Sequence, residues 1–134
     1  MNRPIRSYVL RQGRITPAQI RALEELYPKY GVAFVPHAIS WAEVFNRKAP
    51  LVLEIGSGMG ETTAEIASTH PETDFIAIEV HGPGVGSLLN RLDAGKLSNV
   101  RVIRHAAVEV FLAAAPIFEC GAIGAVLMVA TYLN

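Results

Sequence analysis

Cysteine is nearly missing from this chain: of 134 residues, Cys120 alone is one. That excludes an internal disulfide framework and a cysteine-based metal site. Charge is also scarce, at 18% of residues, and the two signs cancel, with 12 basic against 12 acidic side chains. With 51% apolar residues, the chain reads as globular, not disordered. His37, His70, His81 and His105 are irregularly spaced and make no metal-ligand pattern, so no metal is expected. No apolar core follows Met1-Asn2-Arg3-Pro4-Ile5-Arg6, so no secretory leader is visible and a cytoplasmic protein is expected. The most apolar stretch, residues 106–133, is split by Pro116 and Glu119. About fourteen residues then remain, short of the roughly twenty that a bilayer needs, so no membrane span is expected.

What charge there is lies unevenly. Residues 1–48 hold eight Lys/Arg against three Glu, a net of +5; the remainder holds four against nine, a net of −5. A basic amino-terminal arm on an acidic body suits a polyanionic partner such as RNA, or is a solvated surface arm. We therefore divide the chain into an arm with helices over residues 1–48 and a ligand-binding domain over 49–134.

Residues 1–15 lack periodicity. Thr16-Pro17-Ala18-Gln19 is a helix start with a capping box. Ile20, Leu23, Leu26, Tyr27 and Tyr30 then share one face up to a stop at Gly31. Ser40-Trp41-Ala42-Glu43 reads as a second capping box, with Trp41, Val44 and Phe45 on one side and Trp41 as a packing anchor. From Pro50 the pattern changes. Strands are expected over 51–55, 74–79 and 100–104, and helices over 61–68 and 83–94. Such alternation implies a parallel sheet with right-handed crossovers, whose ligands lie at the strands' carboxyl ends. Residues 121–133 read as a fourth buried strand with a stub. Glu54, Glu79 and His105-Ala106 all fall at strand carboxyl ends and are expected to converge on one crevice.

The segment Val52-Leu53-Glu54-Ile55-Gly56-Ser57-Gly58-Met59-Gly60 carries the most information. A buried strand runs into a tight glycine turn and then a helix, where a ligand can approach backbone N–H groups. Glu79, at the end of the next strand, suits a ribose, whose two hydroxyls a carboxylate can accept. Dinucleotide sites favour G-x-G-x-x-G, but here that last position is Glu61 and the third glycine is Gly60. Glu54 just before the turn would also repel a pyrophosphate. A phosphate-free cation such as S-adenosylmethionine fits better than NAD.

Three strings carry a resemblance. Leu53-Glu54-Ile55-Gly56-Ser57-Gly58-Met59-Gly60, then Phe75-Ile76-Ala77-Ile78-Glu79-Val80-His81-Gly82-Pro83-Gly84-Val85-Gly86, then Leu97-Ser98-Asn99-Val100-Arg101-Val102-Ile103 resemble the bacterial tRNA (guanine-N7)-methyltransferase family. The lead-in Ile5-Arg6-Ser7-Tyr8-Val9 with Arg11-Gln12-Gly13-Arg14 is similar too. The likeness runs from about residue 5 to about residue 115, and the second string is more specific than the glycine loop. It implies a class I methyltransferase fold, Rossmann-like, with a helical amino-terminal extension. It also implies transfer of a methyl group from S-adenosylmethionine to N7 of a guanine in the variable loop of tRNA. The donor would be held by Glu54, Gly56, Gly58, Gly60, Glu79, Val80 and Ala106, and tRNA by Arg6, Arg11 and Arg14.

The chain departs from the family twice. An aspartate usually follows the histidine after the third strand; here His105 is followed by Ala106, which should cost donor affinity roughly 1.5–3 kcal/mol. The family's F-P-D-P-W motif and the basic stretch behind it do not occur in the sequence, so no catalytic residue is assigned. A frame shift or truncation near residue 116 is the expectation, leaving the sheet incomplete on its carboxyl-terminal side and the donor-binding half of the enzyme. The alternative is a non-catalytic S-adenosylmethionine- or RNA-binding partner subunit.

Overall fold

The computed structural model describes residues 14–35 and 39–106, together with the backbone of 123–127. Arg6, Arg11 and His37 lie outside these residues, as does most of the apolar tail. Among the described residues the elements follow in order: α1 (Pro17–Glu25), α2 (Tyr27–Tyr30), α3 (Trp41–Phe45), β1 (Leu51–Ile55), α4 (Glu61–Thr69), β2 (Asp74–Ile78), α5 (Gly82–Ala94), β3 (Val100–Ile103) and β4 (Ile123–Leu127). The strands form one sheet in the order β3-β2-β1-β4, and every pairing is parallel. This is the Rossmann-like winding expected from the sequence. Its order reverses between β1 and β4, the topological switch point where such sheets take ligands.

Central β2 is buried at all five residues, and its alternation divides two cores. Phe75 and Ala77 face Ala22, Tyr30, Ala67 and the apolar stripe of α5, which includes Val85, Leu88, Leu89 and Leu92. Ile76 and Ile78 face the other way, onto Trp41, Leu51, Leu53 and Ile103. Trp41 is thus the packing anchor expected of it. Asp74 is buried at the amino end of β2, where Arg47 grips it through Nε and Nη2, at 3.0 and 2.5 Å. At the same end the Asn99 amide donates at 3.0 Å to the carbonyls of Ala67, His70 and Thr73, tying β3 to the end of α4.

The amino-terminal helices differ in detail from expectation. Thr16 and Gln19 do form the capping box. The single expected helix breaks at Leu26 into α1 and α2, and Ile20 is 41% exposed while Ala22 takes the buried place. Gly31 ends α2 in an extended conformation, not a left-handed one. Glycine is needed there for space: a Cβ would lie 2.5 Å from the Tyr27 ring. Gly31 also bridges Val102, and Val32 N–H donates to the Val102 carbonyl at 2.8 Å, so this segment lies along β3. Ser40 starts α3 without a side-chain cap, so its capping box is not formed.

Helix α1 lies on α5 because α5 carries Gly86. A Cβ at that position would stand 2.8 Å from the backbone of Gln19. Gly86→Ala should therefore lower stability by about 1–3 kcal/mol, the usual cost of overpacking a tight contact. The shift in urea midpoint measures it, and an unchanged midpoint would show that α1 can slide.

Candidate functional site

The loop between β1 and α4 uses its glycines for conformation. Gly56, Gly58 and Gly60 all have positive φ, at 72°, 57° and 82°. A side chain there would cost roughly 1–2 kcal/mol per residue. The loop is also pressed against α5. The Gly58 carbonyl lies where a Cβ on Gly84 would be, and a Cβ on Gly60 would meet Leu88 at 2.6 Å. The Pro83-Gly84-Val85-Gly86 string is thereby explained: Gly84 admits the loop and Gly86 admits α1.

Glu79 closes the arrangement. It directly follows β2, and its amide continues the sheet by donating to the Ile103 carbonyl at 3.1 Å. Its carboxylate accepts from Gly58 N–H through Oε2 and from His81 N–H through Oε1, both at 3.1 Å. One side chain thus fixes the glycine loop and the start of α5 to the end of β2. Each oxygen keeps further lone-pair capacity. Arg91 holds the loop from α5, donating to the Met59 carbonyl at 3.2 Å and to Glu61 at 2.9 Å. Glu61, which stands where a dinucleotide site has its last glycine, is mainly exposed in this ion pair.

Glu54 lies one residue before the end of β1 and is 4% exposed. The Thr63 hydroxyl in α4 donates to its Oε2 at 2.6 Å. Burial pushes the Glu54 carboxyl above its ordinary range; the Thr63 hydrogen bond pulls it back, and the Glu79 charge raises it further. Thr63 was not foreseen. A strand acid and a threonine in the following helix carry no shared pattern in the sequence.

Val80, after β2, and Ala106, after β3, are half-buried, as is His105. His105 stacks on Phe34 with ring centroids 4.0 Å apart and planes at 13°. The structure therefore places Glu54, the three loop glycines, Glu79, Val80 and Ala106 on the carboxyl ends of three adjacent strands. His81 starts α5 beside them. Arg14 is exposed before α1. Among the described residues no three His, Cys, Asp or Glu side chains gather as a metal site, and no helix is long and apolar enough to cross a membrane.

A ligand entering this row would meet backbone amides and two carboxylates. Comparison with known proteins bears on the family. A family profile described as "Putative methyltransferase" matches residues 48–123. A protein named tRNA (guanine-N(7)-)-methyltransferase from Nitrosomonas eutropha is 59% identical over 102 residues, 76% of this chain and 46% of that protein. Proteins of the same name from Nitrosospira multiformis and Methylobacillus flagellatus are 55% and 57% identical, over 86% and 81% of this chain. The chain spans about half the length of these curated relatives, 46–50%. With more than half of its residues inside the profile and relatives this similar, the chain belongs to the methyltransferase family that the profile describes.

Proposed function

We propose that this protein is a tRNA (guanine-N7)-methyltransferase by descent and that the chain supplies its donor-binding half. The observation that carries the reading is the pair of acids on adjacent strand ends, Glu54 buried on β1 and Glu79 clasped to the glycine loop. S-adenosylmethionine has an ammonium and a sulfonium and no phosphate, so it suits two carboxylates where a dinucleotide would be repelled.

The residues fit such a donor. Glu54 would hold the ammonium, for which its buried carboxylate has spare capacity beside the single bond from Thr63. The free amides that begin α4 would take the donor's carboxylate, as helix starts do for anions. Glu79 would accept both ribose hydroxyls, already aimed by its two amide bonds. Gly56, Gly58 and Gly60 keep side chains out of the way, and Val80 and Ala106 flank the base. Bound there, the donor would supply an electrophilic methyl group to the lone pair of guanine N7, the carbon–sulfur bonding pair staying on sulfur. Guanine N7 has no proton to lose, so these residues need to align and not to act as base. The F-P-D-P-W string that would bring a carboxylate to the target base is not in the sequence. The arm of residues 1–48, with Arg6, Arg11 and Arg14, would contact tRNA, and its charge also supports the alternative of a non-catalytic RNA-binding partner subunit.

Three results test this reading. Glu79→Ala should weaken S-adenosylmethionine binding at least tenfold by calorimetry, the scale of lost bonds to a charged group. Equal affinity in both proteins removes Glu79 from the site. Glu54→Gln should show opposite signs in two measurements. The raised carboxyl favours folding while protonated, and that contribution is lost as pH rises through its folded value. The glutamine variant should therefore gain thermal stability over wild type as pH rises from 4 to 7, yet bind donor more weakly. Wild-type affinity should rise across that interval and the variant's should not. Replacing Arg6, Arg11 and Arg14 by alanine should lower the slope of log affinity for tRNA against log salt by roughly 2. An unchanged slope assigns the arm no RNA contact.

A further inference from the structure

Phe34 lies outside every motif in the sequence, yet it reaches the same row of strand ends. Ladder bonds continue past the strands there: Gly56 N–H donates to the Ile78 carbonyl at 2.8 Å and Glu79 N–H to the Ile103 carbonyl at 3.1 Å. The loop, Glu79 and His105-Ala106 are thus spaced as neighbouring strands, about 4.8 Å apart, so the row spans roughly 10 Å. That is the reach from a 5′ substituent across a ribose to its base. With the ribose at Glu79, the base falls at the end of β3, where the Phe34 and His105 rings are stacked.

The stack is a built feature. Tyr27 pins both partners' segments: its hydroxyl donates to the Val32 carbonyl at 3.5 Å and accepts from Arg104 N–H at 3.2 Å. Phe34 also packs against the core that holds Trp41 and Ile103. Both rings are half-buried, so each keeps some solvent-accessible surface. Ala106 beside them offers only a methyl group and no side-chain acceptor for a base's amine. What this end of the site presents to a purine is aromatic surface. Resting on the donor-site reading above, we propose that the Phe34–His105 pair is the wall against which the donor's adenine lies, so that a residue from the amino-terminal segment completes the site.

Calorimetry with S-adenosylhomocysteine on the full chain tests this, with Phe34→Leu keeping apolar volume and Phe34→Tyr keeping the ring. Phe34→Leu should bind about five- to tenfold more weakly, the scale of one lost base stack, while Phe34→Tyr should stay within about twofold. In wild-type protein the His105 ring proton resonances should move on titration with S-adenosylhomocysteine, a readout that needs no variant to fold. Wild-type affinity in Phe34→Leu, or a His105 signal that stays still while the ligand binds, overturns the stack alone. No binding by wild-type protein overturns the donor site, and the stack with it.

Discussion

The structure hangs on where one carboxylate goes. Glu79 follows the most buried strand, and its two oxygens hold amides from two different elements, the glycine loop and the first residue of the α5 cap. A loop with three left-handed glycines has little reason of its own to adopt one shape, because glycine loses more backbone entropy on ordering than any other residue. The Glu79 clasp, the Arg91 bonds from above and the contact with Gly84 supply that reason. Order at the loop is therefore borrowed from β2 and α5.

The second acid gives the site its tension. Glu54 is buried, has one hydrogen bond from Thr63 and feels the charge of Glu79. As a structural element this is poor chemistry, since an ionised carboxyl in such a place opposes folding. In the proposed donor site, the donor's ammonium would pair with Glu54 and offset that cost, so stability given up in the free protein would return as affinity.

Much of this was legible in the sequence, and the parts that were not share a cause. The strands and the helices that follow them read well because their apolar runs end at glycine, proline or charge, all local signals. The loop and Glu79 were visible because spacing along the chain reports neighbouring strand ends in a parallel sheet. Thr63 and Phe34 were invisible because each meets its partner through packing across elements, Thr63 from α4 to β1 and Phe34 across most of the chain to His105. The break at Leu26 was missed for a similar reason: a continuous apolar face does not reveal that Tyr27 must turn to reach Val32 and Arg104. Gly84 and Gly86 were recognised as a string, but only the contacts say that each clears a different neighbour.

The bridge from Gly31 to Val102 has a consequence for how the protein meets other chains. The outward side of β3 would otherwise offer unpaired backbone groups to any extended peptide. Val32 already occupies the Val102 carbonyl, so an invading strand must first peel this segment off. Peeling it off carries Phe34 away from His105. Misassociation at that edge and loss of the Phe34–His105 stack are then one event.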